Sequence, residues 1–297
     1  MRTGIRLTFL SNLSNIMKRF NYIIAIIFIA IVTCSAQSKR ISVLPKVDFY
    51  LQGINQFNED KYADAVNSFD LYIKKNPKDA DGYYYRGTAK AYRDFGSGKD
   101  NAIADLQFVL KNSSDIELKK KSLIMIGKAL EWNKDYTGAI ENYEASLTLT
   151  KGNYNFRVLD YDSFVGIADC YFQIHDYEKC VEASSKAIGI NQNKIRAYEI
   201  RSSASYNLGL KSAAKLDYEK ILSIEPNNWY YLSSLGTYYY IYSKEPNSTS
   251  MACYYFANAR NAFLAKKSNK GNFDTFTYEN IEVFKSVCGN YIPSYFK

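Results

Sequence analysis

The chain has 297 residues, 47% apolar and 23% charged, so it can bury a core and wholesale disorder is excluded. Its 15 glycines and 5 prolines are too few for an all-β fold, which needs a turn residue every few positions, and suit helices joined by short connections. The formal net charge is +8, but Arg2, Arg6, Lys18 and Arg19 lie in the first 36 residues with no acidic partner; removing those four from the 38 basic residues leaves 34 against 30 acidic ones, interspersed, which excludes a phosphate-tracking stripe and with it nucleic-acid binding.

Residues 17–37 read MKRFNYIIAIIFIAIVTCSAQ. Lys18 and Arg19 form a basic start, Ile23 to Val32 form an unbroken apolar run, and Cys34-Ser35-Ala36 supplies small residues for a peptidase. The run, about ten residues long, is too short to cross a bilayer roughly 30 Å thick as a helix. Residues 1–36 therefore predict a secretion signal, with Met17 an alternative start, and a mature chain beginning at Gln37 in the periplasm or at the cell surface. Val32-Thr33-Cys34 also resembles a bacterial lipobox, in which Cys34 would carry lipid and hold the protein on a membrane. That pattern has Gly, Ala or Ser before the cysteine; Thr33 departs from it, which favours cleavage after Ala36. Residues 37–45 form a short linker ending at Pro45.

An internal repeat follows. Lys46 opens a first unit with Gly53, Ala65, Phe69 and Pro77. Arg86-Gly87 through Ala102 and Leu106 forms a second, lengthened by the loop Phe95-Gly96-Ser97-Gly98, and Lys120 opens a third with Gly127, Ala139 and Tyr143. Tyr161 opens a fourth with Ala168, Tyr171 and Cys180, after several extra residues between Thr148 and Asp160. Ile195 opens a fifth with Ser202, Ala214, Tyr218 and Pro226. Trp229 opens a sixth with Leu235-Gly236, Tyr239, Ala252 and Phe256, lengthened by about four residues. Two antiparallel helices approach closely only where side chains are small, so Gly53 is expected to face Ala65 and Gly127 to face Ala139, with the aromatic one turn on filling the wedge. Pro77 and Pro226 end second helices.

This pattern resembles the tetratricopeptide repeat, a unit of 34 residues. The resemblance implies an all-α fold: a right-handed superhelical solenoid of about six tetratricopeptide-like hairpins over residues 46–271. After Gly271, Thr275 to Cys288 places Phe276, Ile281, Phe284 and Val287 at helical spacing, which predicts a C-terminal capping helix and tail over 272–297.

Motifs for chemistry are absent. Gly96-Ser97-Gly98-Lys99 lacks the glycine five residues earlier (Arg93 stands there), the following Ser or Thr (Asp100) and a preceding strand, so it reads as a connector and not a phosphate loop. His175, the only histidine, falls at the turn of the fourth hairpin. No HExxH or CxxC occurs, and no catalytic residue, metal or cofactor is predicted. Cys170 and Cys180 could staple the fourth hairpin, but two small residues packing at a helix crossing is the favoured reading. Cys253 and Cys288 could meet only if the cap packs on the last hairpin in one particular way.

Twenty-eight tyrosines remain to be explained. In the repeat family the first helices line a concave surface that takes extended or helical peptides. Counting into each unit, that resemblance assigns to the groove Tyr50, Phe57, Tyr84, Tyr92, Trp132, Phe172, Tyr206, Tyr230 and Tyr240, with Lys128, Asp169, Arg196 and Glu199 adding charge of both signs. About half of the aromatics should instead complete packing between units. The chaperone-binding carboxylate clamp is not expected, since Tyr50 and Ile54 stand where it wants Lys and Asn. The expected function is an exported, non-enzymatic scaffold for a protein or peptide partner. The alternatives are an envelope assembly factor anchored through Cys34, and an enzyme acting on peptide or glycan.

Overall fold

The structure, a computed structural model, describes residues 48–95, 99–267 and 288. The secretion signal with Met17 and Cys34, the linker 37–45, the loop tip 96–98 and all of the cap except Cys288 lie outside the described residues. The chain divides into two compact units, residues 1–52 and 53–297. Of the first, residues 48–52 are described: the opening turn of helix α1 (Phe49–Asn58), where Asp48 Oδ1 accepts from the Tyr50 and Leu51 N–H groups at 3.0 and 3.3 Å.

The helices that follow are α2 (Tyr62–Lys75), α3 (Ala80–Arg93), α4 (Lys99–Asn112), α5 (Ile116–Trp132) and α6 (Tyr136–Leu149). Then come α7 (Arg157–Gln173), α8 (Tyr177–Ile190), α9 (Ile195–Asn207), α10 (Lys211–Ile224), α11 (Trp229–Ile241) and α12 (Ser248–Lys267). Twelve helices thus occur among the described residues, with no strand, and they pair in the register of the six units. From α2 onward each helix packs on its neighbours in sequence, and α5 and α9 also touch α7, first helix against first helix. That is a solenoid. Pro77 and Pro226 sit two residues past α2 and α10, where neither ring costs an intrahelical hydrogen bond.

The turns inside the hairpins repeat too. Asp60, Lys134, His175 and Gly209 occupy one register position and all are left-handed, with φ of 59°, 63°, 63° and 79°. Only the glycine adopts this without crowding a Cβ. The next residue caps the second helix in two units: Asp135 accepts from Gly138 N–H at 3.1 Å and Asp176 from Lys179 N–H at 3.2 Å. His175 is exposed there, its Nδ1 2.9 Å from the Tyr177 hydroxyl, as its turn position predicts.

The small-residue column works differently from expectation. Gly53, Gly127 and Gly236 do not chiefly make room for the alanine of the second helix. A Cβ on each would lie 2.7 to 2.8 Å from the ring of Phe69, Tyr143 or Phe256. A ring laid flat on a bare helix needs the space of the missing methyl, and the alanines, also fully buried, pack beside it. Tyr143 is approached from both sides in sequence, by Gly127 of α5 and even more closely by Gly166 of α7. Its hydroxyl donates to Glu131 at 2.9 Å.

Buried charge ties units together. Arg86 forks onto Asp105 of its own hairpin at 2.8 and 2.5 Å and reaches Asp70 of the preceding one at 2.7 Å. Arg201, at the same register position, forks onto Asp217 at 3.0 and 2.7 Å and reaches Ser185 of the preceding hairpin at 3.0 Å. Lys120 is fully buried, held by Asp160 at 2.7 Å, the Ser146 carbonyl at 2.6 Å and Thr150 Oγ1 at 2.9 Å. The extra residues before the fourth unit serve that junction: a 3-10 turn, Tyr154–Phe156, leads into an α7 that begins four residues before Tyr161 and presents Asp160.

Cys170 and Cys180 are free thiols, both fully buried, as packing residues would be. Cys253 on α12 forms a disulfide with Cys288, a buried helical residue, so these two cysteines do meet.

Candidate functional site

The first helices carry three zones of different character. At the N-terminal end Phe57, Tyr92 and Trp132, on α1, α3 and α5, form a chain of edge-to-face rings with centroids 5.7 and 5.1 Å apart. Tyr62 stacks on Tyr92 at 5.2 Å and Phe95 covers Trp132 at 5.0 Å. Tyr84 packs on the core beneath, and burial pushes its phenol up to about 12. These rings spend much of their surface on one another and on the core. Tyr50 is half-buried in the opening turn of α1.

The middle zone is charged. Arg196 on α9 pairs with Asp169 on α7 at 2.7 Å and with Glu199 at 3.6 Å. Burial raises the Asp169 carboxyl above the ordinary range, with Arg196 opposing it. Burial likewise raises Glu131, on which Tyr143 donates its hydroxyl while Lys128, half-buried on the same helix, pulls the other way.

The third zone is open. First helices of three consecutive units, α7, α9 and α11, together with α10, enclose a cavity of about 320 Å³. Its rings include Phe172, Tyr206, Tyr218, Trp229 and Tyr230, and its polar groups are Ser and Thr hydroxyls, Asn207 and Lys211. Tyr206 and Tyr230 leave 40% and 45% of their surface to solvent, an unusual exposure for large rings in a helical face. Tyr206 is nonetheless positioned: Lys211 Nζ sits 3.1 Å from its ring centroid and donates to its carbonyl at 2.6 Å, and its hydroxyl is 3.2 Å from that of Tyr242. Tyr240 is exposed and does not line the cavity.

Residues 161–194 and 195–228 match the tetratricopeptide repeat family. These are the fourth and fifth hairpins, α7 to α10, which supply six of the thirteen residues of the cavity wall. As a fold, the tetratricopeptide array is similar to the solved structure of pilF from Pseudomonas aeruginosa, at 12% identity over 75% of this chain and 96% of that one, with a TM-score of 0.57. It is also similar to MamA from Desulfovibrio magneticus RS-1, at 16% identity over 61% and 94%, with a TM-score of 0.50.

Of the groove residues expected from the repeat register, Phe172, Tyr206 and Tyr230 come together around the cavity, and Asp169 and Arg196 pair. Phe57, Tyr92 and Trp132 meet in the separate ring cluster. Sequence reasoning missed Ser233, Tyr238, Tyr242 and Lys211 in the cavity wall. Ser233 was accessible to it, since it occupies the register position of Tyr50, Tyr84 and Glu199 in its own unit. Tyr242 was not, because it follows α11 in the lengthened connection where the register is lost.

Proposed function

We propose that this protein is an exported, non-enzymatic scaffold whose first-helix face binds a protein or peptide of the cell envelope. The observation that carries the reading is the open ring-lined cavity across α7, α9 and α11. Exposed tyrosines offer large contact area at low entropic cost, and binding energy concentrates on such residues when a partner covers them. The cavity carries one lysine and no carboxylate, so it lacks the convergent acid–base pair an enzyme of peptide or glycan hydrolysis would use there. Export is supported by the basic-then-apolar segment ending at Ala36, and by the Cys253–Cys288 disulfide, a bond that persists in oxidising compartments.

The test compares the mature chain with a Tyr206→Ala/Tyr230→Ala variant as bait for native envelope proteins. Leu216→Ala, a residue 64% exposed on second helix α10, is the control. A partner captured by the wild type and the control should bind the double variant at least about 30-fold more weakly, a loss of roughly 2 kcal/mol. Equal capture by a folded double variant would remove the first-helix face from consideration.

A further inference from the structure

The cavity states more about its occupant than that it is a peptide. Its volume, about 320 Å³, is at the small end for ligand sites and suits one large side chain with its flanking main chain. Its rings favour an apolar or aromatic group. Its hydroxyls are mostly committed: Ser203, Ser234 and Thr237 donate to the carbonyls four residues earlier at 2.9, 2.9 and 3.1 Å, and the Asn207 amide donates to Ser203 O at 2.8 Å. Two groups are not. Ser233 lines the cavity, is only 6% exposed, and its buried Oγ has no hydrogen-bond partner among the described residues. A buried hydroxyl in that state costs stability until a ligand atom meets it. Lys211 is the second, in charge and not in hydrogen bonding: its ammonium gives one donor to the Tyr206 carbonyl at 2.6 Å, but no carboxylate lies within ion-pair distance of it among the described residues, and no Asp or Glu lines the cavity. The neighbouring cations Arg196, Arg201 and Lys215 all have carboxylate partners.

A free hydroxyl donor and an ammonium without a counter-charge beside aromatic walls ask for one thing: an anionic acceptor joined to an apolar group. A cationic ligand would meet Lys211, which already occupies the faces of Tyr206 and Tyr242 at 3.1 and 5.5 Å. We infer that this cavity takes an aromatic residue of the partner with an acidic side chain next to it, the ring against Trp229 and Tyr230 and the carboxylate on Lys211 and Ser233. The inference rests on the reading of the first-helix face as the binding surface.

Trp229 reports occupancy directly. In the mature chain carrying Trp132→Phe it is the only tryptophan left of two. The probes are acetyl-Ser-Phe-Glu-Ser-amide, its Gln counterpart, and the Gln peptide with a free C-terminus. The Glu peptide should shift Trp229 emission saturably and bind about fivefold more tightly than the capped Gln peptide, with the preference shrinking as salt rises. Lys211→Met, checked for helicity, should equalise the two capped peptides while leaving a response to both. Equal affinity in the unaltered cavity, a preference that ignores salt, or a preference that survives Lys211→Met overturns the proposal. So does binding by the uncapped Gln peptide alone, which would place a chain terminus there. If no peptide moves Trp229 while Tyr206→Ala/Tyr230→Ala still abolishes partner capture, only this inference fails; if that variant captures normally, the functional reading fails with it.

Discussion

Gly166→Ala is a small change that the packing of Tyr143 should make costly. A Cβ at Gly166 would lie 2.5 Å from Tyr143 Cε2 and 2.8 Å from Cε1, where carbon atoms normally rest about 3.5–4.0 Å apart. The ring has nowhere to go: Tyr143 is fully buried, its hydroxyl is held by Glu131, and a Cβ at Gly127 would already lie within 3 Å of it. Overpacking of this kind costs about 3 kcal/mol at the upper end, and alanine's better helix propensity returns about 1 kcal/mol, leaving a net loss of about 2 kcal/mol. In a chain of this size that lowers Tm by about 4–8 °C. Gly189→Ala supplies the contrast, because nothing lies within 4 Å of its added Cβ and it sits inside α8. It should raise stability by about 0.5–1 kcal/mol. Thermal denaturation followed by circular dichroism measures both. A Gly166→Ala protein melting with the wild type, or a Gly189→Ala protein losing as much as Gly166→Ala, would show that the ring-on-glycine packing is misread.

The Cys253–Cys288 bond closes a loop with a sequence separation of 35, so Cys253→Ala should cost roughly 3–4 kcal/mol in denaturant titration. A thiol reagent should find nothing in the folded mature chain and two groups after unfolding, since Cys170 and Cys180 are fully buried and burial pushes the Cys180 thiol up to about 12. Arg201→Met leaves the carboxylate of Asp217, only 3% exposed, without its partner and should cost about 3–5 kcal/mol, whereas Arg201→Met/Asp217→Leu should recover most of that loss; equal stability of the single and double variants would argue against the fork. Burial raises the folded-state pKa of Glu131, so the stability it contributes is full below its unfolded value and lost as pH rises through the folded one. Glu131→Gln should therefore gain on the wild type most at about pH 7, and the gap should close as pH falls towards about 4; a gap that widens on acidification contradicts the assignment.

Six hairpins, their turns at residues such as His175 and their ends before Pro77 and Pro226 were all legible, because helix pairing is a local, periodic problem. The partners inside each hairpin were less so. Gly53 and Ala65 were read as facing one another, but which atom fills the space left by a glycine depends on the rotamer of Phe69, which spacing does not determine. Lys120 entered the sequence reading only as the start of the third unit, and it is fully buried, because Asp160 enters from an extension outside the repeat register. The site shows the same limit. Phe57, Tyr92, Trp132, Tyr206 and Tyr230 all came from one register rule, yet the first three close on each other while the last two stay open. Exposure there is set by the neighbouring side chains: Tyr62 stacks on Tyr92 and Phe95 on Trp132, whereas Tyr206 and Tyr230 share their cavity with small residues such as Ser233 and Ser234. Trp132 is accordingly a poorer probe of binding than Tyr230, since its removal would also loosen the N-terminal ring cluster.

That a partner docks on the first helices is tested most directly by where it can be trapped. A photoreactive benzophenone residue placed in the protein at Tyr206 or Tyr230, and separately at Leu216 of α10 or Tyr254 of α12, samples the two faces, all four positions being exposed. Irradiation of intact cells should give the same partner adduct from Tyr206 and Tyr230 and none from Leu216 or Tyr254. Adducts from Leu216 and Tyr254, with none from the two first-helix positions, would contradict the proposed binding face.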